Sequence, residues 1–373
     1  MPLHLTPKEC NALKGIAITG IILHNFCHWL PGITHENEFH FDIEYVSGIQ
    51  HALAQPDSQL LLHLLSYFGH YGVAIFIFLS GYGLVLKYER QARTSGDDAT
   101  FYTFIKKHYL KLLKLLVPGL TVITLWNVHD YFKYGDSLPQ LNHVIAQLLM
   151  YINFYPYPGD AINPGPYWFF GLMLQLYIIY KTVIHRKHWI IPVISIIACF
   201  MPQFLFSPDS PQTEWMHYNF IGNMLPFGLG VLYARHIHQA RDHSDPDGSP
   251  DPRRLSKWTY GLCLVVSMIL LYVTGLNFYS WMLTPLFAIT SLLCLIKLLP
   301  DVINSGLKYL GLISSALFVF HPIARRLFVY RAQQGDLAFG LTMYIIVSVA
   351  GALLLYALLN YQTLYHRIKK RKS

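Results

Sequence analysis

Charge is what this sequence has least of. Only 13% of its 373 residues are Asp, Glu, Lys or Arg, against about 25% in soluble domains. With 53% hydrophobic residues and a mean hydropathy of +0.35, that deficit excludes an ordinary soluble globular chain. Cysteine is sparse as well. Cys10, Cys27, Cys199, Cys263 and Cys294 are odd in number and form no CxxC pair. Free thiols are therefore expected rather than a disulfide framework, and no Cys/His spacing resembles a zinc site, so no metal is expected. No small-residue cleavage motif follows the first apolar run, which reads as an uncleaved helix. Arginine–aromatic interleaving is absent, so the net charge of +8 does not point to nucleic acid. The apolar segments also lack acidic residues, which argues against an ion or proton transporter.

Long apolar segments fill the rest. The first, Leu13 to Trp29, reads LKGIAITGIILHNFCHW. Spanning a bilayer takes about 20 apolar residues. Candidate spans are 13–31, 68–87, 110–128, 166–184, 189–206, 218–235, 258–275, 279–298, 308–327 and 338–361. The piece 141–155 is short and ends in the turn-rich NFYPYPGDAINPGP, so it reads as interfacial or re-entrant. Loop charge alternates as the positive-inside rule demands. Loop 32–67 holds Glu36, Glu38, Asp42, Glu44 and Asp57 with no Lys or Arg, and loop 207–217 holds Asp209 and Glu214 without a base. Basic residues mark 88–109, 182–188, the flanks of 236–257 (Arg235, Arg253, Arg254, Lys257) and the terminal HRIKKRKS. The pattern predicts an all-α polytopic membrane bundle of about ten transmembrane helices, with both termini cytoplasmic and one domain over 1–373. The stretch 239–252, QARDHSDPDGSPDP, reads as a flexible cytoplasmic loop.

Ionisable groups inside a membrane are costly and mark sites by default. His24 lies ten residues beyond Lys14, a rise of about 15 Å. Lys14 is thus placed near the cytoplasmic surface and His24 deep in the bilayer. His28 follows one turn later, about 40° from His24 around the helix, so both rings can face the bundle interior. A buried neutral imidazole suits a general base; it also suits packing against a neighbouring helix. Arg325, Arg326 and Arg331 break the charge rule near the outer end of 308–327. They fit either snorkelling to headgroups or a grip on an acidic or phosphorylated substrate. His321-Pro322 reads as a kink whose histidine satisfies freed backbone groups, and Ser80-Gly81 as a close helix contact. The loop histidines His35, His40, His51 and His63 read as solvated.

Several segments, in order, resemble the membrane-bound acyltransferase family 3: KGIAITGIILHNFCH, GVAIFIFLSGYGLVLKY (72–88), FYTFIKKHYLKLLKLLVP (101–118), YWFFGLMLQLYIIY (167–180) and SSALFVFHPIARRLF (314–328). Their order and spacing are more specific than any one of them. The resemblance implies O-acyl transfer, with acetyl as the expected group, from cytoplasmic acyl-CoA to a hydroxyl of a surface or lipid-linked polysaccharide. It also implies a multi-pass protein of the bacterial inner membrane, in contact with its lipids. On that reading His24, or His28, is the catalytic base or carries the acyl group briefly. Lys14, Lys107, Lys111 and Lys114 face the phosphates of acyl-CoA, acetyl-CoA first; the positive-inside signal accounts for these lysines equally. Trp29, Tyr71 and Trp168 form a sugar platform with Arg325 and Arg326 nearby. Three departures from the family pattern stand out. Nine residues rather than ten separate the first-helix cation from His24, lysine replaces arginine, and Met173 and Leu174 replace paired glutamates, leaving Gln175. The alternative class is a non-catalytic polysaccharide exporter on the same fold.

Overall fold

The computed structural model describes residues 4–91, 100–242 and 255–361. Arg93, Arg253, Arg254, HRIKKRKS and most of the 239–252 loop lie outside them. The described residues are helical with no strand. In chain order the α-helices of eight residues or more are α1 (Pro7–Cys27), α2 (Ile43–Ala54), α3 (Leu60–Phe68), α4 (Gly72–Leu84), α5 (Phe101–Tyr134), α6 (Leu141–Leu148), α7 (Trp168–Ile179), α8 (Ile190–Phe200), α9 (Pro211–Tyr218), α10 (Phe220–Asp242), α11 (Lys257–Thr274), α12 (Thr284–Leu298), α13 (Asp301–Gln333) and α14 (Leu337–Leu359).

A helix lies at each segment read as a span. Among the described residues six stretches are both long and apolar enough to cross a membrane: Leu60–Arg90, Phe101–Tyr134, Gly165–Ile184, Lys257–Thr274, Asp301–Gln333 and Leu337–Leu359. α8 with its 3₁₀ extension, and α12, are apolar but shorter. The 141–155 piece is an eight-residue helix and a 3₁₀ turn, too short to span. The first four residues of the 239–252 stretch continue α10 as helix rather than loop.

α1 begins at a capping box, with the Thr6 hydroxyl accepting from Glu9 N and the Glu9 carboxylate accepting from Thr6 N. It runs parallel to α13 and packs along it. The two approach so closely that a Cβ on Gly15 would strike the Leu307 carbonyl, and one on Gly311 the Asn11 carbonyl. α4 and α10 meet in the same way, through Gly81 against Phe227 and Gly230 against Phe78. Lipid gives helices little hydrophobic reason to associate, so small residues that admit backbone contact do the work. The Ser80-Gly81 reading is this contact.

The segment between α1 and α3 folds back over the end of α1. Phe41 and Val46 form a small separate core with Phe278, Trp281 and Met282. Thr34 fastens the segment to α3, its N–H donating to His63 Nδ1 at 3.1 Å.

Candidate functional site

His24 is 7% exposed, in the last turn of α1. Its Nδ1 lies 2.6 Å from the Ser66 carbonyl oxygen. A carbonyl only accepts, so Nδ1 carries the proton and Nε2 is left with its lone pair. Nε2 has no hydrogen-bond partner among the described residues. A fixed tautomer with a free Nε2 is what a general base needs, and here a backbone carbonyl supplies the fixing in place of the usual carboxylate.

Other imidazoles surround it. Ring centroids lie 5.2 Å from His24 to His28, 5.3 Å from His24 to His70 and 4.8 Å from His28 to His35. The seam expected for His24 and His28 is therefore present, in a helix that stays α-helical throughout. With no bulge in α1, the offset between Lys14 and His24 keeps its regular-helix value. His35 corrects the solvated reading: it packs on His28 and its Nδ1 is buried. His63 is corrected too, through its bond to Thr34. His70 was passed over although it obeys the same rule as His24, an ionisable side chain in an apolar run.

The base-poor loop also delivers carboxylates that were read only as topology. Glu36 is 1% exposed and accepts from Trp281 Nε1 at 3.0 Å. Burial holds its carboxyl well above the usual range. Burial pushes Glu38 up to about 7. Nothing in the sequence pattern separated these two from Asp42 or Glu44, because what buries them is the fold-back of the whole segment onto the Phe278–Trp281 turn.

The arginines diverge. Arg325 donates to Asn25 Oδ1 at 3.1 Å and lies over the Trp29 ring, 4.9 Å from its centroid, which places it beside the end of α1. Arg326 turns to α5, where it pairs with Asp130 at 2.7 Å and stacks on Trp126 at 5.1 Å. It lines a separate cleft with Asp136, His143 and Asp160. Both guanidinium groups have protein partners. The aromatics do not share one surface. Trp29 is 50% exposed, Tyr71 is buried against His70, and Trp168 is buried against Phe39 and Tyr218.

His321 Nδ1 bonds the Leu317 carbonyl within its own helix at 3.1 Å. Gln175 takes no part in the histidine cluster. Its Nε2 donates to Asn219 Oδ1 at 2.8 Å and its Oε1 accepts from Phe220 N at 3.0 Å. The position beside the family's glutamates therefore serves an amide network joining α7 to α10.

At the lysine end of the bundle, Lys14 and Lys87 lie near enough to Lys111 for their charges to act on it, and Lys87, Lys111 and Lys107 do so on His108. Lys87 was not singled out in the sequence, although it closes the 72–88 segment. Lys114 stands apart from this group and donates to the Leu359 carbonyl at the end of α14, 2.6 Å away. His108 itself is buried, 4.5 Å from the Tyr177 ring and 4.2 Å from that of Phe104, and its Nδ1 bonds the Phe104 carbonyl.

Comparison with curated proteins and with solved structures finds no match. A family model described as an acyltransferase domain matches residues 8–359, a range that runs from the second residue of α1 to the end of α14 and includes the histidine cluster and the lysine group. The chain thus belongs to acyltransferase family 3.

Proposed function

We propose that this chain is a membrane-embedded O-acyltransferase. It moves an acyl group, acetyl first, from cytoplasmic acyl-CoA to a hydroxyl of a cell-surface or lipid-linked polysaccharide. It sits in the bacterial inner membrane with ten spans and both termini in the cytoplasm. The observation that carries the reading is His24: a buried imidazole in a family of acyltransferases, its tautomer fixed by Ser66 and its Nε2 free.

The proposed step uses that imidazole. His24 Nε2 removes the proton of a sugar hydroxyl as its oxygen attacks the thioester carbonyl carbon. The C–S bond then breaks, and the CoA thiolate takes the proton from His24. Lys14, Lys87, Lys107 and Lys111 meet the CoA phosphates from the opposite end of α1. Lys114, engaged with α14, contributes less. Arg325, held against Asn25 and Trp29, faces the acceptor, and Arg326 does so from its own cleft.

The test is purified protein with radiolabelled acetyl-CoA and host glycan, scored for CoA release and label transfer. Wild type should do both. His24→Ala should lose about 10²–10⁴-fold in kcat while keeping its thermal midpoint. Loss confined to His28→Ala would move the base one turn along α1. A wild type that moves glycan without consuming acetyl-CoA would sink the transferase reading and leave the exporter.

A further inference from the structure

Burying a donor or acceptor without a partner is costly, and native proteins hold few such groups. This protein gathers four into one place. Both ring nitrogens of His70, the Tyr71 hydroxyl and His217 Nε2 are buried and have no hydrogen-bond partner. The Tyr67 carbonyl approaches His70, and Thr284 and Trp281 approach the Tyr71 hydroxyl, without hydrogen-bond geometry. His70, Tyr71 and His217 line a single cavity of about 50 Å³. That is room for three or four waters or an acyl group of roughly two or three carbons. Glu38 and Asn223 also line the cavity, and the rest of its wall is largely apolar, including Val73, Ala74 and Met282. One side of the cavity is His70, whose ring lies 5.3 Å from that of His24.

We propose that this cavity is the subsite for the thioester carbonyl of a short acyl group, with the Tyr71 hydroxyl and the His70 N–H as its hydrogen-bond donors. The assignment rests on the acyltransferase reading and adds where the acyl group sits. As the sugar oxygen bonds to the carbonyl carbon, the carbonyl π pair moves onto oxygen. The oxyanion accepts from Tyr71 and His70. When it collapses, the C=O bond re-forms and the CoA thiolate leaves, to be protonated by His24. Donors aimed at developing charge in a dry site are commonly the largest catalytic contribution. The apolar wall takes the acyl methyl, and its closeness sets the chain length accepted.

The experiment compares full-length wild type, Tyr71→Phe, His70→Gln and Met282→Ala with acetyl-CoA, butyryl-CoA and host glycan. Tyr71→Phe and His70→Gln should each lower kcat by about 10²–10³-fold with little change in KM for acetyl-CoA. Tyr71→Phe deletes an unpaired hydroxyl, so its thermal midpoint should hold or rise. Met282→Ala should raise butyryl over acetyl selectivity by about 10-fold, a readout that stands even where a polar variant misfolds. Wild-type kcat in Tyr71→Phe, or a loss that follows a lowered midpoint, would overturn the subsite while leaving the acyltransferase reading intact. A wild type without thioester turnover would remove that reading and this assignment together.

Discussion

Glu89 and His70 belong to one continuous helical stretch, Leu60–Arg90, and are treated in opposite ways. Glu89 is saturated. Its oxygens accept from Arg235 Nε at 2.9 Å and Nη2 at 2.7 Å, from the Tyr180 hydroxyl at 3.1 Å and from Arg186 N at 3.3 Å. Arg235 is engaged as well, donating to the Ile184 and Lys187 carbonyls. This clamp ties together the helical continuation of α4, the segment that follows α7, and α10. His70 has no partner for either nitrogen. A buried group whose valences are met by protein holds the fold, and one whose valences are left open is held ready for something else. The contrast separates architecture from chemistry in a chain whose polar residues otherwise look alike.

The comparison breaks or sharpens under substitution. Glu89→Ala leaves Arg235 buried without its counter-charge and should cost about 3–5 kcal/mol of stability. It should read as a large fall in thermal midpoint and in yield of folded protein, and a midpoint unchanged within error would show the clamp to be idle. Gln175→Leu removes one link of the amide network and leaves Asn219 Oδ1 and Phe220 N without their partner, costing about 1–3 kcal/mol. Its kcat per folded molecule should match wild type, and a selective loss of kcat would return Gln175 to the catalytic side.

The smallest effect concerns Glu38, which lines the cavity beside His70. Burial lifts its carboxyl from an ordinary 4.5 to about 7. Between those values the folded chain holds a proton that the unfolded chain has lost. The stability from this group is therefore complete below pH 4.5 and declines as pH rises through 7. Glu38→Gln should flatten the fall of thermal midpoint with pH over that window. An unchanged slope would place the carboxylate in contact with water.

Much of the bundle was legible in the sequence because lipid imposes a one-dimensional rule. Each spanning helix must satisfy its backbone internally over a fixed thickness, so length and apolarity mark it whatever its neighbours. Periodicity likewise placed His24 and His28 on one seam, since four residues nearly complete a helical turn. His70 is open to the same reasoning, but it stands just before the 72–88 segment that carries the family resemblance. The Glu36, His35 and His63 contacts were out of reach: charge counts along 32–67 cannot tell which side chains turn inward when a loop folds back.

What the sequence determined by itself is the helical membrane class, the family landmarks and the pairing of His24 with His28 at the end of α1, all carried by local composition and spacing. What only the tertiary structure decided is which polar groups find one another. Arg325 and Arg326 are adjacent in sequence, yet one reaches Asn25 and the other Asp130, because neighbouring residues on a helix point about 100° apart. The same holds for Glu89 and His70. Whether a buried group is saturated depends on partners tens to hundreds of residues away, and hydrogen bonds form at distances of about 3 Å that only packing can set.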